Sequence, residues 1–259
     1  MDAQLARELI ACNNEFYRRH AASFSATRQA PWQGWARVVE AARALTEPSR
    51  TLHVLDVACG NLRFERFLAE RIPTVELSCL AVDSTPELSC DASAIRGVRT
   101  RTVDVLEVLL DGRDPLDATG TFDLTVCFGF LHHVPGGNLR HALLNTLARH
   151  TCAGGIIALS LWQFMDDPRL ARKAETAEEA MREQGFPVDA LDADDHFLGW
   201  QDSIQPVRYC HHFSEAEVDE LSAHLSQRGA REIDRFSADG RSGTLNRYLI
   251  CQIEKSSRL

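Results

Sequence analysis

The run Val54-Leu-Asp-Val-Ala-Cys-Gly-Asn-Leu-Arg-Phe64 constrains this chain more than any other stretch. It reads as a buried strand that ends at Asp56, turns through Ala58-Cys59-Gly60-Asn61, and opens a helix. Small residues allow the tight turn, and such a turn lets backbone N–H groups and a helix N-terminus face a ligand. A second apolar run, Leu80-Ala-Val-Asp83, ends on an acid about 23 residues after Gly60, where a carboxylate can accept from ribose hydroxyls. The layout predicts an open α/β sheet with a nucleotide-like ligand at its carboxyl edge.

The rest of the chain extends that pattern. Strand-like runs at 52–57, 78–83, 98–103, 122–128 and 155–161 alternate with helical faces, among them Phe64, Phe67, Leu68, Ile72 and Leu139, Leu143, Leu144, Leu147. Two late runs, 231–236 and 246–253, flank Asp239-Gly-Arg-Ser-Gly243 and predict a hairpin beside the parallel strands. The expected fold class is therefore α/β: a Rossmann-like, seven-stranded, mostly parallel sheet with an antiparallel last strand and helices on both faces. Leu5, Leu9, Cys12 and Phe16 predict a helix before the core, and Ser25 to Trp35 reads as a loop. Residues 166 to 195 read as an exposed insertion with a helix near 169–184 and an acidic end, Asp192-Ala-Asp-Asp195. Ser214-x-x-Glu217 reads as a capping box. One domain is expected over 1–259: an N-terminal helix and lid (1–45), a ligand-binding core (50–160), an acceptor-side segment (161–213), and a closing helix and hairpin (214–259).

A formal net charge of -9 argues against a protein wrapped around nucleic acid, without excluding a local basic patch, and no DNA partner is expected. No apolar run suits a membrane span, and the polar N-terminus does not read as a signal peptide, so a cytoplasmic protein is expected. Cys79, Cys127 and Cys251 sit in strand-like runs and no C-x-x-C pair occurs, which predicts buried reduced thiols.

Four features fall in order at the carboxyl ends of the first four strands: the Asp56–Gly60 turn, Asp83, Asp104, and Cys127-Phe-Gly-Phe-Leu-His-His133. Over roughly residues 50 to 160 the chain resembles the class I S-adenosylmethionine-dependent methyltransferases. The resemblance implies that Asp56, Ala58, Cys59 and Gly60 hold the methionine part of the cofactor. It gives Asp83 and Ser84 to the ribose, Asp104 and Val105 to the adenine, and Cys127 and Phe128 to the side of the reacting methyl. Thr151-Cys-Ala-Gly-Gly155 also fits the family pattern. The chain departs from the family's Gly-x-Gly-x-Gly turn, carrying Ala58, Gly60 and Leu62 at those positions. A nucleotide-binding dehydrogenase fits less well, since it leaves the antiparallel last strand and the strand-four histidines unexplained.

A finer resemblance is to the tRNA methyltransferases that esterify wobble 5-carboxymethyluridine. It rests on Asn14-Glu-Phe-Tyr17, Phe24-Ser-Ala-Thr-Arg-Gln-Ala-Pro-Trp32, Leu131-His-His133, Arg208-Tyr-Cys-His211 with Phe213, and Gly243-x-Leu-Asn246. The tract Asp189–Asp202, including Leu198-Gly-Trp-Gln201, has no counterpart there. Tyr17, Arg28 and Trp32 are expected to fold over the cofactor as a lid. Arg28, Arg208 and Arg241 are candidates to grip an acceptor carboxylate, because guanidinium matches its geometry.

Trp162, Tyr209, Arg241 and Asn246 are expected to line the acceptor site, with His132, His133 and Arg208 as catalytic residues. Neighbouring histidines point different ways, so one of the pair is expected to face the site. No metal is expected, since His132 and His133 with His196, His211 or His212 lack a ligand-like spacing. Three functions stay open: ester formation on tRNA, with an activating protein partner as an option; methylation of a small carboxylic acid or other metabolite; and a catalytically silent cofactor-binding subunit, suggested by Leu62.

Overall fold

A computed structural model describes residues 1–46, 50–88, 95–200 and 203–255, apart from the side chains of 24 and 203–206. The seven-stranded sheet comprises β1 (Leu52–Val57), β2 (Leu77–Asp83), β3 (Val98–Thr102), β4 (Phe122–Cys127), β5 (Thr151–Trp162), β8 (Ala230–Ala238) and β9 (Asn246–Ile253). Its order is β3-β2-β1-β4-β5-β9-β8, and β9 runs antiparallel to both neighbours. The predicted fold class is the observed one.

Strand alternation divides the core. Leu55 and Val57 face one side and pack with α4 (Val105–Leu110), α5 (Gly137–Arg149) and α7 (Glu215–Ser226). Val54 faces the other side, with α2 (Trp35–Arg43) and α3 (Arg63–Arg71). Both faces of β1 are thus covered, which accounts for its near-continuous apolar run.

Three readings are corrected. The N-terminal helix α1 runs Ala3–Thr27, so Ser25 to Thr27 are helical and the loop begins at Arg28. The 166–195 tract is not merely exposed. Its helix α6 (Pro168–Glu183), capped by Asp167, packs on a second sheet that the sequence reading missed: the antiparallel hairpin β6 (Asp195–Trp200) and β7 (Ser203–His211). Asp195, expected at an exposed acidic end, is buried and accepts from the Tyr209 hydroxyl at 2.6 Å and His211 Nδ1 at 2.7 Å. Gln201 and Asp202 lie outside the described residues. The capping box is half made. Ser214 Oγ accepts from Glu217 N–H, while the Glu217 carboxylate turns to His211 and Arg140.

Leu5 and Leu9 of α1 pack with Ala177 of α6 and Phe197 of β6, forming a small layer along the carboxyl edge of the main sheet. The link from α1 to α2 is pinned by Asp239, which accepts from Gly34 N–H at 3.1 Å, Asn246 Nδ2 at 2.9 Å and the Tyr248 hydroxyl at 2.7 Å. A Cβ on Gly34 would lie 2.2 and 2.4 Å from Tyr248 ring carbons. That ring is fully buried and tethered, so it has no room to yield. Gly34→Ala is expected to destabilise the protein by about 2 kcal/mol or more, read as a lower midpoint in urea with an unchanged slope.

Candidate active site

One cavity of about 300 Å³ runs along the carboxyl edge, and its two ends differ in chemistry. At the first end all three glycine-pattern positions of the turn take left-handed backbone: Ala58 (φ 64°), Gly60 (φ 54°) and Leu62 (φ 59°). For a residue with a Cβ that conformation costs roughly 1–2 kcal/mol. Leu62 offsets the cost because its side chain is wholly buried in the core over α3, which stabilises by about 1.5–3 kcal/mol. This accounts for a leucine where a glycine is the simpler choice.

The turn's N–H groups do not face the cavity as expected. Those of Ala58 and Cys59 donate to the Val82 carbonyl, at 2.7 and 3.1 Å, and Gly60 N–H donates to Asp83 Oδ2 at 2.9 Å. Asp83 Oδ1 accepts from Thr85 N–H at 2.8 Å. The two bonds rivet the turn to the end of β2 while leaving each oxygen a second lone pair for a ligand hydroxyl. Asp104 divides its carboxylate similarly: Oδ1 caps α4 at Leu106 and Glu107, and Oδ2 accepts from Asn14 Nδ2 at 2.6 Å.

Asp56 points to the α3 side of β1 and meets Glu65 there, both of them buried. Asp56 Oδ1 and both Glu65 oxygens have no hydrogen-bond partner. Burial is the main force raising both carboxyls, Asp56 well above its ordinary value and Glu65 to about 7. Asp83 adds repulsion to both, and Arg66 opposes the rise at Glu65.

At the second end α1 and the hairpin close over the strand-four exit. Asn13 Oδ1 accepts from Tyr209 N–H at 2.8 Å, and Asn13 Nδ2 donates to the Tyr209 carbonyl at 3.2 Å. His133 Nδ1 also lies 2.8 Å from that carbonyl, which only accepts, so Nδ1 carries the hydrogen. His133 Nε2 therefore accepts from the Tyr17 hydroxyl at 2.7 Å. His132 packs on Trp162, with ring centroids 4.7 Å apart, and its Nδ1 is unpartnered. Burial holds both imidazoles neutral, with Arg208 contributing; His133 is pushed down to about 3 and His132 falls well below the ordinary range.

Arg208 is 6% exposed. Its Cζ lies 5.2 Å from the Phe16 ring, 5.8 Å from Trp162 and 5.5 Å from Trp200. Its Nε and Nη1 have no hydrogen-bond partner, and no carboxylate among the described residues pairs with it. Arg28 also lines the cavity, 5.3 Å over Trp200; burial pushes its guanidinium down to about 10, and Arg208 adds repulsion.

The cavity gathers Tyr17, Arg28, Trp32, Asp56, Ala58, Cys59, Gly60, Asp83, Ser84, Asp104, Val105, Phe128, His132, His133, Trp162, Arg208 and Asn246. Three sequence candidates are not on its wall. Cys127 is fully buried in the core below, because its side chain falls on the inner face of β4. The Tyr209 ring turns away to Asp195, leaving only its backbone near the site. Arg241 is exposed in the β8–β9 turn. Asn246 is on the wall, but its amide is spent on Asp239. Both His132 and His133 face the cavity, where one was expected.

Sequence reasoning missed Asn13, Arg63 and Asp239, which line the cavity, and Trp200, which Arg28 and Arg208 lie over. Arg63 donates to the Ala30 carbonyl at 2.8 Å and lies against Trp32 and Trp35. His132, His133 and Cys210 bring ligand-type atoms within 4.8 Å of one another. Both nitrogens of His133 are already engaged and Arg208 stands beside the group, which disfavours a cation there.

Two outcomes follow for the first end. Ala58→Gly is expected to keep or raise the melting temperature by relieving left-handed strain, whereas Leu62→Gly lowers stability by about 2 kcal/mol or more through lost burial. Because the folded state holds the Glu65 proton more tightly than the unfolded chain, stability is full below pH 4.5 and falls as pH rises to about 7. Glu65→Gln should flatten the stability profile across that window, as measured by urea denaturation at each pH.

Residues 55–157 match the family model described as a methyltransferase domain. No curated protein matches the chain. Among solved structures, the 1,6-didemethyltoxoflavin-N1-methyltransferase of Burkholderia thailandensis, with bound 1,6-didemethyltoxoflavin and S-adenosylhomocysteine, superposes with TM-score 0.62. It shares 17% identity, over 98% of this chain and 92% of that one. The DhpI-SAM-HEP complex gives 0.60 at 18% identity, over 94% and 97%. CalS10, an amino pentose methyltransferase from Micromonospora echinaspora with bound S-adenosylmethionine, gives 0.56 at 16% identity, over 90% and 95%. At these identities the structures establish the shared fold. Residues 55–157 are thus matched by a methyltransferase domain, and the whole chain takes the α/β fold of these methyltransferase structures.

Proposed function

We propose that this enzyme methylates a small-molecule acceptor bound between α1 and the β6–β7 hairpin. The observation that carries this reading is the cavity's second end, which is walled by Tyr17, Trp162 and the buried Arg208 and reached along the same cleft as the turn. A binding end of this size walled by aromatic rings and a buried guanidinium suits a compact ligand, and the net charge of -9 offers little to a polynucleotide backbone.

The first end fits the cofactor by its donor set. Asp83 retains acceptor capacity for ribose hydroxyls, and Asp56 presents an unpartnered buried oxygen suited to a cationic group. Arg28 and Arg63 are the cations that line the cavity on the side of the cofactor's carboxylate, with Phe128 and Trp35 supplying apolar wall. When bound, S-adenosylmethionine supplies an electrophilic methyl on a sulfonium. The chain's own task is alignment and water exclusion, and α1 contributes both by crossing the cleft.

A second reading, esterification of a tRNA wobble uridine, draws support from the convergence of Tyr17, His133 and Arg208 on one wall, since those residues carry the finer family resemblance. Labelled S-adenosylmethionine offered separately to tRNA and to a small-molecule fraction of a cell extract tests the two. Label is expected in the small-molecule fraction; label in tRNA alone would replace the first reading with the second. Label in neither, despite cofactor binding, would favour a silent subunit.

A further inference from the structure

We infer that the acceptor is a carboxylic acid, held by Arg208 as its carboxylate and methylated on oxygen to a methyl ester. This rests on reading the second end of the cavity as the acceptor site. Arg208 is the decisive group. A guanidinium removed from water and left without an anion is costly, so a fold that keeps one needs a ligand to complete it. Arg208 has two unpartnered nitrogens and no carboxylate among the described residues, and it lines the cavity between Tyr17 and Trp162.

Its neighbours supply area instead of charge. Phe16, Trp162 and Trp200 cover it with rings 5.2 to 5.8 Å from its Cζ, and of these Trp162 lines the cavity together with Tyr17, so an acceptor with an apolar body and an anionic head would find both parts matched. A second cation, Arg28, reaches the same wall over Trp200. The planar fork of a guanidinium suits the planar carboxylate.

The proton-handling groups point the same way. An amine or hydroxyl acceptor must lose a proton, and the two imidazoles at this end are poorly suited to take it. His133 already accepts the Tyr17 hydroxyl hydrogen, and His132, whose Nδ1 is open, would gain its charge in a buried site beside Arg208 and Arg28. A carboxylate needs no base. One of its oxygens forms the bond to the methyl carbon as the carbon–sulfur bond breaks, and that bonding pair stays on sulfur. A sulfonium and a carboxylate become a neutral thioether and a neutral ester, with no proton released or consumed.

The test uses the full chain, tritium-labelled methyl on S-adenosylmethionine, and the small-molecule fraction of a cell extract. Labelled product is treated with mild alkali, and volatile label is collected. Methyl esters release methanol under these conditions, whereas N-methyl and ether products keep the label. The expected result is volatile label, with transfer lowered roughly 10- to 100-fold in Arg208→Met and partly restored in Arg208→Lys. Cofactor affinity by calorimetry should stay within about threefold in both variants, which separates a binding role from a folding defect. Alkali-stable label, or full activity in Arg208→Met with cofactor still bound, would overturn the carboxylate assignment and leave the transferase reading intact. No labelled product in any fraction would count against the transferase reading itself.

Discussion

The arrangement of the second end depends on the backbone of one residue, Tyr209. Its N–H and C=O are both bound by the side-chain amide of Asn13, so helix α1 docks on strand β7 much as another strand would. Its carbonyl also takes the Nδ1 hydrogen of His133, which fixes the imidazole tautomer and turns Nε2 toward Tyr17. Its hydroxyl, buried on the far side, fastens β7 to Asp195 and through it to His211. Three elements distant in sequence are thereby held to one residue. The side chain expected to touch an acceptor instead sets the position of residues that line the cavity.

Much of the cofactor end was legible because its signals are local. A strand with both faces buried reads as an apolar run, an acid at its end stands out, and a small-residue turn follows at once; Asp56, Gly60 and Asp83 needed no tertiary knowledge. The direction of the turn's N–H groups was not legible, since it depends on Val82 and Asp83 reaching over from β2. Leu62 looked like a defect against the glycine pattern. Its burial beneath α3, which no local pattern reveals, makes it a compensated choice.

The acceptor end was harder because its logic lies in pairings across long stretches of chain. The hairpin β6–β7 carries no strand pattern that the sequence reading recognised, and it is its packing on α6 and α1 that holds it as a sheet. Arg208 and Arg241 could not be separated by residue type; strand register buries one among aromatic rings, while the hairpin turn exposes the other. Cys127 was misplaced for a similar reason. A strand-end residue and its neighbour alternate sides, so Phe128 reaches the cavity while Cys127 enters the core.

The two ends of the cavity present different groups, and that bears on turnover as well as binding. Carboxyls gather near the turn, at Asp56, Asp83 and Asp104, with Arg28 and Arg63 close by, and a guanidinium stands unpaired at Arg208. On the proposed chemistry, a sulfonium and an anionic acceptor meet between them. In a cleft shielded from water, their mutual attraction along the transfer axis acts at a lower dielectric than in solution. Methyl transfer between them cancels both charges. The neutral ester then loses its match to Arg208, and the desolvated guanidinium regains a reason to exchange the ester for a fresh anion. On the proposed chemistry, the same unpaired charge that selects the substrate also weakens the hold on the product.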